Sequence, residues 1–413
     1  MQEKNKRLLD NFISVILLKM MLYIIPFVTL PYQTRVLGVE NFGLVSFAMA
    51  FVGYCTNIVD YGFDASATYK IAKHRSNMKA VSNIFSSVLV TKTLLMLVSF
   101  VVVILLIMAV PKFREQGLLF MATMPVIIGS VIYPMWFFMG MERMKYVTFM
   151  NIVSRSIFMV LLFVFVKKPD DYYFVPLLTS IGSIVAGCLS LHIALRRFKI
   201  KLYIPKWKSI VRQFKYSTQF FVAKLSYLAM SNTNVFCLGL IGSSVMVGYY
   251  SAAEKLYLAI FSILHSVLLI MFPYMTKNKD INIFKKVMSL ALLVTILICT
   301  FMFVFAKQIV TIFYGAEMLE AYKVLQIFSI TIVFNFICGA IGDSLLGAFG
   351  FINKSNKTVV VSSVIHIIGL LVLYMFNALN IYNIAYLLLA GSIIAIFMRL
   401  YYLHKYKIWQ NNN

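Results

Sequence analysis

Twelve apolar stretches of bilayer length, joined by short connections, constrain this chain more than any other feature. A membrane-crossing helix needs about 20 mostly apolar residues. Candidates fall at 11–33, 42–63, 82–109, 117–139, 148–166, 173–195, 217–239, 249–272, 287–306, 323–346, 359–377 and 384–403. No polar region is long enough for a soluble domain, so the whole chain is expected to be embedded in a membrane. Hydrophobic residues make up 61% of the 413 and the mean hydropathy is +0.87, whereas a soluble domain is nearer half apolar. The two-residue alternation of a membrane β-barrel does not recur along the chain. Helices are then the way to satisfy the backbone in lipid. The fold expected is an all-α integral membrane protein of about 12 transmembrane helices, in two parallel six-helix halves around a central cavity.

Charge gives the orientation. With the N-terminus inside, the inner segments carry 26 of the 38 Lys and Arg, counting Arg399 with the C-terminal tail, and the outer connections carry 7. That bias is the positive-inside pattern and puts both termini in the cytoplasm. The net charge of +24 does not point to nucleic acid, because the cations sit in short loops where topology and anionic lipid headgroups account for them. The first ten residues and the apolar run after them resemble a signal peptide. The run is too long and lacks a small-residue cleavage site, so a retained first helix is expected. Cys55, Cys188, Cys237, Cys299 and Cys338 are scattered through apolar runs without metal-ligand spacing and read as small core residues.

The longest connection, Arg196 to Lys215, holds eight cations near the middle of the chain. It reads as a linker on an anionic leaflet, in part an amphipathic helix; recruitment of an anionic lipid substrate is the sharper alternative. The domains expected are a first bundle over 1–200, a basic linker over 201–216 and a second bundle over 217–413. LGVENFGLVSFA (37–48) resembles IGSSVMVGYYSAA (241–253), and WFFMGMERMKYVT (136–148) resembles LGAFGFINKSNKT (346–358). Six spans per half give a parallel repeat, with a substrate path expected between the halves.

Ionisable residues inside spans carry the functional argument. Lys19, Lys92, Arg155 and Lys224 lie in spans one, three, five and seven, all running the same way, each roughly seven to ten residues past the inner edge. At about 1.5 Å per residue they share one depth. A cation at the bilayer centre costs about 2.5–3.5 kcal/mol on insertion scales and normally faces a cavity or partner. Four at one level suggest a lined cavity; snorkelling to the headgroups is the alternative. Thr148, Asn151 and Arg155 share a face, as do Ser217, Lys224, Tyr227, Ser231 and Asn234. In span two, Ser46, Gly53, Asn57, Asp60 and Asp64 are expected on one face, the two carboxylates either neutralising Lys19 or Lys92 or carrying a coupling proton. Span eight places Ser251, Glu254, Lys255, Leu258, Ser262 and His265 on one side. Glu254 and Lys255 read as a gate, a relay or a self-compensating pair, and His265 can titrate near neutrality. Asp343, near the inner end of span ten, has the same ambiguity as the other carboxylates. Pro26 and Pro31 interrupt span one and are expected to let it bend, between Lys19 inside and Arg35 at the outer rim. Arg35 either handles substrate or pairs with Glu40 or a headgroup.

PYQTRVLG (31–38), FG (42–43) and VDYGFDASATYKIAK (59–73), within twelve spans in two halves, resemble the Wzx-type O-antigen and polysaccharide flippases. These belong to the superfamily that includes lipid II flippases and multidrug and toxin extruders. The resemblance implies a carrier in the bacterial inner membrane. It would move an undecaprenyl-diphosphate-linked oligosaccharide from the cytoplasmic to the periplasmic leaflet by alternating access. The family's cationic cavity has candidate counterparts in Lys19, Lys92, Arg155, Lys224 and Lys255. The implied partners are the lipid-linked oligosaccharide, anionic lipids, a polysaccharide polymerase and a chain-length regulator. Arg offers bidentate and Lys point-charge contacts to a diphosphate. No nucleotide-binding loop is present, so no cofactor is expected beyond a coupling ion, proton or sodium, exchanged at Asp60, Asp64, Glu254 or Asp343. A drug or organic-cation extruder of the same superfamily is the rival reading, disfavoured by a cationic lumen. A membrane polymerase or glycosyltransferase would need a large loop bearing acid, base or metal ligands, and the outer loops are short.

Overall fold

The computed structural model describes residues 2–408, with side chains described at 25–221, 224 and 232–408. Every regular element among them is helical. The chain divides into two compact units, Met1–Leu225 and Ser226–Asn413. The first contains α1 (Gln2–Asp60), α2 (Phe63–Lys73), α3 (Met78–Ala109), α4 (Pro111–Glu115), α5 (Gly117–Thr123), α6 (Pro125–Ile132), α7 (Met135–Gly140), α8 (Met144–Phe165), α9 (Phe174–Arg196) and most of α10 (Trp207–Ser231). The second contains α11 (Thr233–Ile241), α12 (Ser244–Asn278), α13 (Ile281–Val304), α14 (Ala306–Tyr314), α15 (Ala321–Gly339), α16 (Ile352–Met375) and α17 (Ile381–Lys405). Among the described residues, nine helical stretches are long and apolar enough to cross a membrane. The protein is thus an all-α, multi-pass membrane protein.

Its helices turn apolar side chains outward as well as inward. On α3, Leu97, Val98, Val101, Leu105 and Met108 are all exposed, which suits lipid rather than water. The inward faces of the first unit meet in a cluster of Phe63, Ile71, Phe85, Trp136, Phe137, Phe138 and Val147. Within the second unit, α15 packs on α12, α13 and α17.

The helix boundaries differ from the sequence reading where glycine and proline act. The first two spans are one run, α1, and its 59 residues are interrupted only at Gly38 (φ 72°, ψ 175°). At about 1.5 Å per residue that run far exceeds one bilayer, and Gly38 redirects the helix without a loop. A positive φ costs glycine little. Pro26 and Pro31 remain inside the helix, and the break lies at neither. The expected fourth span is divided into α5, α6 and α7, with Pro125 starting α6 and Tyr133 and Pro134 separating α6 from α7. Span seven is divided at Asn232 between α10 and α11. Spans ten and eleven are joined through a π-helical segment, Ala340–Phe351, with its own break at Gly350 (φ 89°). The basic connection has no regular structure over 199–206, with Lys199 in a left-handed conformation (φ 54°), rather than being helical, and α10 begins at Trp207. All five cysteines are free thiols, and Cys188 is exposed rather than in the core.

Candidate functional site

The first unit gathers ionisable side chains around the end of α1. The helix stops at Asp60, because Tyr61 (φ 38°) and Gly62 (φ 70°) turn the chain into α2. Asp60 and Asp64 therefore do not share a helical face: Asp64 belongs to the first turn of α2. The turn nonetheless aims both carboxylates at one cation. Lys224 Nζ lies 3.7 Å from Asp60 Oδ2 and 3.5 Å from Asp64 Oδ2. Lys92 Nζ lies 2.8 Å from Asp60 Oδ1 and donates to the Ser130 carbonyl at 2.6 Å. The result is a quartet of two lysines and two aspartates drawn from α1, α2, α3 and α10.

Its members differ in access. Lys92 is 2% exposed, Asp60 19%, Lys224 27% and Asp64 45%. Lys92 is thus a satisfied buried cation, with a close carboxylate and a carbonyl as partners. Lys224 is held by two longer contacts and is open to one side. Tyr133, at the break between α6 and α7, is within electrostatic reach of Asp64 and accepts a hydrogen bond from Asn151 Nδ2 at 2.9 Å. Asn151 thereby joins the wall of the site through α8, where Arg155, one turn further on, is half-buried.

The position of α10 depends on α2. Ser66 and Ser217 hydroxyls are 2.7 Å apart, Tyr61 stacks on Phe214 and Phe221 at 4.1 and 4.4 Å, and Lys70 donates to Gln213 Oε1 at 2.7 Å. Gly62 lies so close that an added Cβ would sit 2.8 Å from Phe221 N and 2.9 Å from Phe220 Cβ. This close approach holds Lys224 over Asp60 and Asp64.

The other predicted residues are placed elsewhere. The Lys19, Tyr227 and Ser231 side chains lie outside the described residues. Arg35 and Glu40 are both exposed near Gly38. In the second unit, Glu254 is half-buried on α12 while Lys255 is exposed, so the two do not share the one side expected of them, because neighbours leave a helix about 100° apart. His265 is half-buried, its ring 5.6 Å from that of Phe261. Asn234 is far from solvent: its Nδ2 donates to Tyr250 OH at 2.9 Å and its Oδ1 is 2.7 Å from His366 Nε2. Asp343 is half-buried on the π-helical segment.

Two groups escaped the sequence reading. His366 of α16 is fully buried in that Asn234 network. Arg399 of α17 is 3% exposed; it donates to Thr358 Oγ1 at 2.9 Å and to the Cys338 carbonyl, both neutral oxygens. Arg399 and Asp343 are both within electrostatic reach of Cys338. Arg399 was assigned to the C-terminal tail by charge counting, although it lies inside span 384–403; that position was the available signal.

The all-helical bundle has structural counterparts among solved proteins. The lipid II flippase MurJ in an inward closed conformation superposes with a TM-score of 0.75 at 16% identity, covering 96% of this chain and 87% of that one. An inward-facing multidrug resistance transporter of the MATE family gives a TM-score of 0.70 at 14% identity, covering 97% and 99%. These likenesses establish the fold class. Residues 8–279 match the family described as polysaccharide biosynthesis protein, and the chain belongs to it. Two curated relatives carry the name "Putative O-antigen transporter". The one from Escherichia coli (strain K12) is 28% identical over 260 residues, 63% of each chain. The one from Shigella dysenteriae is 28% identical over 257 residues, 62% of this chain and 64% of its own. This chain therefore aligns with a little under two thirds of each curated relative's length.

Proposed function

We propose that the protein is a flippase for a lipid-linked polysaccharide unit, carrying an undecaprenyl-diphosphate-linked oligosaccharide from the cytoplasmic to the periplasmic leaflet of the bacterial inner membrane. On this reading it uses twelve spans in two parallel halves, alternating access and cytoplasmic termini. Family membership and the curated relatives supply the substrate class. The observation that carries the reading is Lys224, half-exposed and shared between Asp60 at 3.7 Å and Asp64 at 3.5 Å. A diphosphate brings several anionic oxygens to one lysine and outcompetes a single carboxylate at such distances. Capture is then an exchange: phosphate replaces Asp64 on Lys224, and the freed carboxylate is available to a coupling proton or sodium ion. Lys92, already bonded to Asp60 and Ser130, holds the quartet together. Arg155 extends the cationic path, and Asn and Tyr side chains such as Asn151 and Tyr133 meet sugar hydroxyls. A polysaccharide polymerase and a chain-length regulator are the expected downstream partners.

The test is a deletion strain complemented with Lys224→Ala, Lys224→Arg or Asp64→Asn, scored for surface polysaccharide and for lipid-linked repeat units. Lys224→Ala should lose polysaccharide and accumulate the lipid-linked unit, while Lys224→Arg should retain part of the activity. Normal polysaccharide with Lys224→Ala removes the proposed anion contact. One observation favours a second reading, an organic-cation extruder. The quartet sums to zero charge, and its most exposed member is the acidic Asp64, so a cation is not repelled. In that case Asp64→Asn sensitises cells to cationic drugs and leaves surface polysaccharide unchanged.

A further inference from the structure

The irregular segment between α9 and α10 has one side built into the first unit and the other side bare. Ile200, 4% exposed, enters the core cluster with Phe85 and Phe137. Pro205 is buried as well. Between them two serines of α3 grip the backbone. Lys201 N donates to Ser82 Oγ at 3.2 Å and Tyr203 N donates to Ser86 Oγ at 3.0 Å. Ser82 and Ser86 are one helical turn apart, so they fix the segment along α3 from Lys201 to Tyr203. The outward side carries Lys199, Lys201, Lys206 and Lys208 around Leu202, Ile204 and Trp207. Ile204 is 100% exposed and Trp207 68%. No carboxylate occurs from Arg196 to Lys215.

Water is a poor neighbour for this surface, and its position supplies a better one. Ser82 and Ser86 stand four and eight residues into α3, about 6 and 12 Å from Met78 along the axis. That is the depth at which a spanning helix passes from headgroups into hydrocarbon. Tryptophan prefers this boundary, and clustered lysines beside it attract anionic headgroups.

We propose that residues 199–208 form a fixed interfacial anchor that binds anionic phospholipid headgroups through these four lysines while Leu202, Ile204 and Trp207 enter the acyl boundary. The anchor is independent of the transported substrate. Because its backbone is fastened to α3, it holds the start of α10 at a set depth.

The chain has three tryptophans, so a W136F/W409F protein reports on Trp207 alone. It is reconstituted in vesicles where either brominated-acyl phosphatidylglycerol or brominated-acyl phosphatidylcholine is the quencher in an otherwise equal mixture. Trp207 emission should be quenched by both lipids, more strongly by the phosphatidylglycerol, and shielded from aqueous iodide. K199Q/K201Q/K206Q/K208Q should erase the preference between lipids, since each lysine contributes about fivefold in affinity for an anionic surface. Full iodide access without lipid quenching overturns the proposal. So does equal quenching by the two lipids in the unsubstituted segment. Protection from both iodide and lipid bromine shows that protein covers the surface, and also overturns it. Where W136F impairs folding, the difference in emission between the native protein and W207F gives the same measurement.

Discussion

Replacing Asp60 by Asn should destabilise the protein far more than the loss of one surface ion pair would, and a second substitution should reverse most of the effect. Lys92 is 2% exposed and has one carboxylate, at 2.8 Å. Asp60→Asn leaves that buried ammonium with no carboxylate in ion-pair contact; its bond to the Ser130 carbonyl is present before and after and cancels. Breaking a buried pair by removing one partner costs about 3–5 kcal/mol, and an uncompensated lysine in a membrane helix costs about 2.5–3.5 kcal/mol on insertion scales. The two routes agree on about 3 kcal/mol. Lys92→Met is milder, about 1–2 kcal/mol by the same reasoning, because Asp60 keeps Lys224 at 3.7 Å and is partly exposed. In Asp60→Asn/Lys92→Met the buried charge is gone, and neutral replacement of a buried pair is often close to neutral. The double variant should therefore be more stable than Asp60→Asn by about 2 kcal/mol or more. Unfolding of the purified protein in detergent, followed by the fraction that stays monodisperse after heating, measures all four members of the cycle. If the double variant is no more stable than Asp60→Asn, the Asp60–Lys92 pair does not hold the quartet.

Other perturbations test neighbouring features. Gly62→Ala combines a left-handed backbone with a Cβ 2.8 Å from Phe221 N; it should cost about 1–3 kcal/mol in the same heating assay and, by moving α10 off α2, reduce the proposed flipping activity. Arg399→Met leaves the Cys338 carbonyl and Thr358 hydroxyl short of a donor, and should cost about 1–3 kcal/mol, read as a lower heating midpoint. Glu320 stands between α14 and α15, where a hydrogen bond from Lys323 holds its carboxyl below the ordinary 4.5. A carboxylate with a depressed pKa contributes stability that is full above its unfolded value and is lost as pH falls through its folded value. The pair is exposed, so the effect is small. Glu320→Gln should lower stability slightly at neutral pH and leave the acid end unchanged, so that the profile flattens below about pH 4.5.

The apolar spans were legible because bilayer length is a hard requirement that each twenty-residue run meets on its own. The breaks within them were not, because a break depends on what packs beside it. Pro26 and Pro31 stay helical in α1, whereas Gly38, unremarked in the apolar pattern, opens the backbone. Lys92 and Lys224 were singled out by depth, and the structure places both on Asp60. Asp64 reached the same site by a different route: Tyr61 and Gly62 end α1, so its position follows from a turn and not from helical periodicity. Arg399 was hidden by charge counting, which credits a basic residue near the chain end to the tail. Its neutral partners, Cys338 and Thr358, lie 61 and 41 residues away, a separation that periodicity does not register.

The quartet also has an electrical consequence. Two lysines and two aspartates within salt-bridge distance carry no net charge, so a rearrangement that moves them together does no work against the membrane voltage. The voltage then acts on the cargo. Each negative charge leaving a cell that is negative inside gains about 2.3 kcal/mol per 100 mV crossed. On the proposed reading, and when no coupling ion binds the freed Asp64, a neutral quartet leaves the field to act on an anionic cargo alone, and the transport rate should follow the potential in proportion to the charge that cargo brings.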